Sequence, residues 1–281
     1  MMNIKITSDS TCDLSPELLE QLNVTLARLT VVKGDEQFVD GETITPADIF
    51  AHVASGGDLC STSAYSVGQY VDLFSQYSNQ YDAIIHINIS AHFSSCHQNA
   101  CIAAEDFPNV RVVDSKNLST GQGLVVLEAC RLAKQLDDLD EIVDKLNEMT
   151  SRVEASFLLD QLKYMVKGGR CSSAAALGAN LLNLKPCIEV RDGKMSVVKK
   201  YRGSYAKCLA SYVKDRLADR EDISRKEMFL TYTVVDDECL TAVKEAIDTY
   251  GSFETVYDAV AGCTVSCHCG PGTLGVLFVR K

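Results

Sequence analysis

The sequence predicts an α/β protein with a largely parallel sheet. Strand-like runs alternate with helix starts through the first half. The run from Ala83 to Ser90 contains Ile84, Ile85, Ile87 and Ile89, as strands buried on both faces do. Helical stretches follow this run and the next strand, Val110 to Val113.

The elements follow in order. Ile4 and Ile6 open an alternating strand that leads into Thr7-Ser8-Asp9-Ser10. Ser15-Pro16-Glu17 starts a helix with a cap, a first-turn proline and an acid at the positive end. Thr25 to Val32 reads as one strand, turned by Gly34-Asp35, and Thr45-Pro46-Ala47-Asp48 is a second helix start. Cys60-Ser61-Thr62-Ser63, after Gly56-Gly57, reads as a hydroxyl-rich turn before a helix near Ser66. Beyond residue 151 the character changes. Ala155 to Leu159 is a strand, Ser172 to Leu182 an alanine-rich helix, and Ile188 to Val198 a hairpin on Asp192-Gly193. Helix, strand and helix follow up to Tyr250, and Glu254 to Val279 reads as short strands broken by Gly262, Gly270, Gly272 and Gly275. The expected division is 1–151 and 152–281. No linker rich in Pro, Gly or Ser marks it, so a broad shared interface is expected.

Composition narrows the function. Of 281 residues, 46% are hydrophobic and 23% charged, enough for an ordinary core. The net charge of -11 argues against nucleic acid or an anionic membrane as main partner, since both need a basic footprint. No secretory signal is visible and no apolar run reaches the ~18 residues of a membrane span. The reading is cytoplasmic, with the 12 cysteines reduced. Cys267-His268-Cys269, with Cys263 nearby, raises the question of zinc. Neighbours on a strand point to opposite faces, and a second ligand cluster is missing, so no metal is expected.

Candidate chemistry gathers where strands end. Open α/β sheets bind ligands beyond the carboxyl ends of their strands. Asp9-Ser10-Thr11, Ser90 with Ser94 and Ser95, and Asp114-Ser115 with Ser119 stand there. The bland alternative is helix capping, which Ser10 and Ser119 fit better than Ser94 does. Thr62 and Ser63 are open to either use. Lys167-Gly168-Gly169-Arg170 ends a helix and leaves Arg170 on a tight loop, where its guanidinium can fork to a carboxylate or phosphate. His268 precedes Gly270-Pro271-Gly272 and gains interest if it meets Thr62 and Ser94 in space. There is no Gly-x-Ser-x-Gly elbow and no phosphate loop. These residues alone indicate an anion-binding α/β protein.

Taken in order, several segments resemble the DegV family along nearly the whole chain. They are Thr7-Ser8-Asp9-Ser10, Thr62-Ser63-Ala64-Tyr65-Ser66, the block Ser90 to Gln98, Val113-Asp114-Ser115 with Ser119, Gly121 and Gly123, and Lys167 to Arg170. Leu184-Lys185-Pro186, Arg202-Gly203, and His268 with Gly270-Pro271-Gly272 complete the set. Tyr65 stands where the family usually has proline, and His92 and Ser95 replace glycines.

The resemblance implies a two-domain fold. Its N-terminal part is a three-layer α/β/α unit with a mostly parallel sheet, and its C-terminal part is α/β with a mixed sheet. It also implies a lipid-binding, non-catalytic carrier with no cofactor and no metal. A long-chain fatty acid such as palmitate (hexadecanoate), stearate or oleate would lie in a tunnel, its carboxylate at the domain junction. Carried over by position, Thr62 and Ser94 bind the carboxylate, Arg170 and His268 belong to the network around it, and Ser63 and Arg202 are weaker candidates. The implied partners are a fatty-acid kinase and a downstream acyltransferase of phospholipid metabolism. Three alternatives stand beside it: a small-molecule enzyme with a dihydroxyacetone kinase-like fold, a serine hydrolase using Ser94 or Ser10, and a purely structural or regulatory interaction module with an empty cleft.

Overall fold

The computed structural model describes residues 2–177 and 184–281. The first half carries strands β1 (Ile4–Asp9), β2 (Thr25–Ala27), β3 (Thr30–Lys33), β4 (Glu36–Val39), β5 (Ser61–Ser63), β6 (Ala83–Asn88) and β7 (Val110–Asp114). Its helices are α1 (Pro16–Gln21), α2 (Pro46–Ala54), α3 (Val67–Ser78), α4 (Cys96–Ala104), α5 (Ser119–Leu132) and α6 (Leu139–Thr150). The second half carries strands β8 (Val153–Leu158), β9 (Leu184–Arg191), β10 (Lys194–Arg202), β11 (Ile223–Tyr232), β12 (Thr255–Val260) and β13 (Leu274–Arg280). Its helices are α7 (Leu162–Gly168), α8 (Ser172–Ala175), α9 (Tyr205–Leu217), α10 (Asp237–Tyr250) and α11 (Cys263–Cys269).

The fold is α/β, as the alternation of elements predicts. One sheet, β2-β1-β6-β7, is parallel throughout. Every residue of β6 is buried, because helices cover both faces. Tyr70 and Phe74 of α3 and Ala100 and Ala103 of α4 pack on one face, and α5 lies on the other. The second sheet, β10-β9-β8-β13-β11-β12, is antiparallel except for the β11–β12 pair. Its side chains alternate as strand geometry demands: Met228 and Leu230 face α9 and α10, while Phe229 faces the core that contains α5. α5 therefore lies between the two sheets. All of it is buried except Glu128 and Arg131, and Arg131 forks to Glu227 of β11. One apolar cluster runs from Ile6 and Ile87 to Phe157 and Leu277, across residue 151.

Three sequence expectations change. The stretch 25–32 is two strands in two sheets. At the break, Leu29 N donates to Ser10 Oγ at 3.1 Å and Asp40 N to Leu29 O at 2.9 Å, so side chain and loop take the bonds of a ladder. β3 then pairs with β4 and β5 in a small antiparallel sheet. Residues 61–63 are thus a strand rather than a turn. The third change is α11, a helix where strand was expected. The hairpin turn has Asp192 and Gly193 at φ 48° and 76°, as a two-residue turn of this kind requires, and its strands extend to residues 184 and 202. The alanine-rich helix begins at Ser172, and residues 178–182 of that expectation lie outside the described residues.

Candidate functional site

Thr62 is held by the small sheet, where it pairs with Val31 of β3. Its Oγ1 lies 2.8 Å from His268 Nε2, a contact across 206 residues of chain. α11 brings His268 there. Gly168, at the end of α7, makes room: a Cβ on it would stand 2.5 Å from His268 Nδ1. Burial, aided by the Arg170 charge, pushes the imidazole down to about 4, so it is neutral at pH 7. Nδ1 has no hydrogen-bond partner among the described residues. Among the described residues no carboxylate meets Nδ1, where a hydrolytic triad would place one. If Nε2–H donates to Thr62, the threonine hydroxyl is left to donate into the cavity.

Ser94 sits between β6 and α4. Its Oγ accepts from Cys96 N at 3.2 Å, so it secures the start of α4 while facing the same cavity. Arg170 follows Gly169, whose φ of 68° ends α7. Its Nε donates to Phe93 O at 3.3 Å and its Nη1 to Gly168 O at 2.5 Å. Among the described residues it makes no ion pair, and its guanidinium keeps N–H groups for an incoming anion.

Thr62, Ser63, Ser94, Arg170 and His268 all line one cavity of about 280 Å³. The structure therefore brings together the four main candidates and Ser63. Arg202 is exposed at the end of β10 and is not part of the cavity wall. The remaining wall is mostly apolar, with Ile89, Phe93, Leu118, Met165, Met195 and Val265. A smaller void of about 30 Å³ shares Leu118, Val265 and Cys269 with it and continues toward Phe157 and Leu277. A polar head and an apolar body describe the space, as expected of a site for an amphipathic anion.

Ser10 and Ser119 are not helix caps and do not line the larger cavity, although Ser119 borders the smaller void. Ser10 Oγ donates to Asp40 Oδ2 at 2.8 Å, and Ser119 Oγ to Asp13 Oδ2 at 2.5 Å. Ser90 Oγ donates to Gly193 O at 2.9 Å and docks the hairpin turn against the first half. Met195, just past that turn, reaches the cavity. Sequence reasoning missed Thr264, which lines the cavity from the first turn of α11, because no helix was expected there.

The cysteines beside His268 do not assemble a metal site. Among the described residues, no group of three or more His, Cys, Asp or Glu side chains is placed to hold an ion. Cys263 and Cys267 pack with Cys60, Val31, Ile44 and Ile49 in an apolar cluster, and burial pushes the thiols up.

A family model described as "Uncharacterised protein, DegV family" matches residues 3–281. This chain belongs to the DegV family. A DegV domain-containing protein of Clostridium acetobutylicum is 32% identical over 285 residues, covering 100% of each chain. A DegV family protein from Thermus thermophilus, described by its fatty acid binding, superposes with a TM-score of 0.91 at 28% identity, over 100% of each chain. A stearic acid-binding protein from Eubacterium ventriosum gives 0.82 at 26% identity, over 99% of this chain and 98% of the other. These likenesses agree with the α/β fold described above. Among the described residues of this DegV-family chain, no helix is long and apolar enough to cross a membrane.

Proposed function

We propose that this chain binds one long-chain fatty acid, of the palmitate, stearate or oleate class, with its carboxylate at Thr62 and Ser94. The observation that carries the proposal is the convergence of Thr62, Ser94, Arg170 and His268 on one cavity whose other walls are mostly apolar. Structures of similar chains described as fatty acid-binding support it.

The energetics divide between head and tail. A ~16-carbon tail at roughly 0.8 kcal/mol per buried methylene contributes on the order of 12 kcal/mol gross. Lost freedom of ligand and protein offsets much of this. The carboxylate, taken from water, needs donors in return, and two hydroxyls with a guanidinium nearby supply them. Tail burial sets affinity, and the head-group donors set orientation. In this reading the chain divides at residue 151 into units 1–151 and 152–281, with the ligand between them.

The chain is read as a cytoplasmic carrier rather than a complete enzyme. A separate fatty-acid kinase phosphorylates the presented carboxylate, and an acyltransferase consumes the acyl-phosphate. Phosphoryl transfer needs positive or donor groups around the transferring phosphate, and Arg170 and His268 are the nearest. Exposed Arg202 belongs to the partner surface in this reading. Arg170→Ala and His268→Ala are expected to lower acyl-phosphate formation with the kinase more than they lower fatty-acid binding.

Denaturing extraction and mass spectrometry of the purified protein test the central claim. Close to one fatty acid per chain is expected. Delipidated protein that takes up neither palmitate, stearate nor oleate would end the proposal.

A further inference from the structure

The first turn of α11 is not capped by its own segment of chain. Gly262 stands at the N-cap position and offers no side chain. The carboxylate of Asp40, from the turn after β4, takes that place. It accepts from Cys263 N at 3.0 Å, Thr264 N at 3.4 Å and Thr264 Oγ1 at 2.7 Å. Ser10 Oγ donates to it as well, at 2.8 Å. Asp40 is 2% exposed, and among the described residues no cation pairs with its carboxylate. Arg28 donates to the backbone oxygen of Asp40 instead and pairs with Glu42. A buried carboxylate without a counter-ion persists only where donors replace its water, and here those donors come from separate segments of chain.

The same residue holds the other side of the site. Asp40 N donates to Leu29 O at 2.9 Å, and Ser10 Oγ, bound to the Asp40 carboxylate, accepts from Leu29 N at 3.1 Å. Leu29 lines the cavity and leads directly into β3. β3 in turn aligns Thr62 through the Val31–Thr62 pairing. One side chain therefore fastens both the strand that presents Thr62 and the helix that presents His268. It does not itself line the cavity.

We infer that Asp40 is a positioning residue of the head-group site, setting the Thr62–His268 pair by tying α11 to the Leu29 end of β3. Its effect on ligand rests on the fatty-acid reading above, but its effect on His268 does not. Asp40→Asn is the sharpest change. It keeps the shape but replaces a carboxylate oxygen with an amide donor: the Ser10 and Thr264 hydroxyls must turn round to accept from it, and the backbone N–H of Thr264 cannot.

Two readouts separate positioning from general damage. The first is the titration of His268 by NMR in protein with 13C-labelled histidines, the signal assigned through His268→Gln. In the parent protein, protonation near pH 4 is expected. In Asp40→Asn, α11 loosens, water reaches the ring, and the midpoint moves up toward the ordinary 6.5. The second readout is binding of palmitate beside hexadecanol, which has the same tail and no carboxylate. Palmitate is expected to weaken roughly tenfold more than hexadecanol, the scale of one hydrogen bond to a charged group. Damage to the tail space or to the fold would weaken both together. A folded Asp40→Asn protein with an unmoved His268 titration and an unchanged palmitate-to-hexadecanol ratio overturns the inference. Should that variant fail to fold, Ser10→Ala, which cuts Leu29 from the Asp40 carboxylate, is read by the same measurements against the same criterion. If the parent protein binds no palmitate, the fatty-acid reading fails, and the His268 titration still decides the role of Asp40.

Discussion

Two helices of the second half, α10 and α11, are made in opposite ways. α10 carries its own instructions. Asp236 caps it by accepting from Cys239 N at 2.7 Å, Asp237 and Glu238 occupy the first turn, and Cys239, Val243, Ala246 and Ile247 form its buried stripe. α11 has no side-chain cap of its own and no acid in its first turn. Its caps are Asp13 and Asp40, more than 200 residues earlier, and six of its seven residues are buried. The self-sufficient helix covers a sheet, whereas the dependent one carries His268 to Thr62.

The largest expected effect tests that dependence. Asp40→Ala strands the first-turn donors of α11 and the Ser10 hydroxyl, at about 1–3 kcal/mol for each buried group left unpaired. Asp236→Ala lets water replace an exposed cap and should cost much less. Urea unfolding of the two variants measures both, and equal losses would erase the contrast between the helices. Thr62→Ala and Ser94→Ala come next. Each should cost roughly 1.5–3 kcal/mol of fatty-acid affinity if the head group is dry. Each also gives up a structural bond, Thr62 to His268 Nε2 and Ser94 to Cys96 N, so thermal midpoints should fall modestly while the chain still folds. Titration beside a melt checks this, and unchanged affinity in both would leave these hydroxyls as structural groups alone.

Gly168→Ala probes the far end of α11. The new Cβ would collide with the His268 ring at Nδ1, and overpacking of this kind costs about 1–3 kcal/mol. The expected signature is a lower melting midpoint together with a displaced His268 resonance. A parent-like resonance would show that the ring has freedom to move aside.

The last effect is one of pH, and its sign differs between the two helices. Burial pushes the Asp13 carboxyl up to about 8, against the pull of its bonds from Ser119 and Gly262 N. The folded chain thus keeps a proton that the unfolded chain loses near pH 4. The contribution of Asp13 is whole below that point and is lost as pH rises through about 8. Asp236 is shifted the other way, held below the ordinary carboxylate range by Cys239 N. Its contribution is present above that range and is lost as pH falls through its lowered value. Amide exchange, corrected for its intrinsic pH dependence, should show α11 loosening in alkali and α10 in acid. Asp13→Asn should remove the alkaline loss. If α11 is equally protected at pH 6 and pH 9 in the parent, Asp13 does not bear on it.

Much of the frame is legible in the chain. The isoleucines of β6, the capped starts of α1 and α2 and the Asp192-Gly193 turn are local signals, and each produced the element it predicts. The candidates Thr62, Ser94, Arg170 and His268 came from ordered resemblance along the sequence, and they meet at one cavity. The small β3–β4–β5 sheet was not legible. Leu29 leaves the first sheet because Ser10 and Asp40 capture its backbone, and neither is near it in sequence.

α11 marks the limit most clearly. Cys263-Thr264-Val265-Ser266-Cys267-His268-Cys269 is short, β-branched in part and flanked by glycines, which reads locally as strand. By itself the sequence determined the α/β alternation, the hairpin and the residue types a carboxylate site needs, because these rest on neighbours within a few positions. The tertiary structure alone decided that 263–269 is helical and that His268 points at Thr62. A helix this short is held by groups that satisfy its open amides, and here those groups are the side-chain carboxyls of Asp13 and Asp40 from the other half of the molecule.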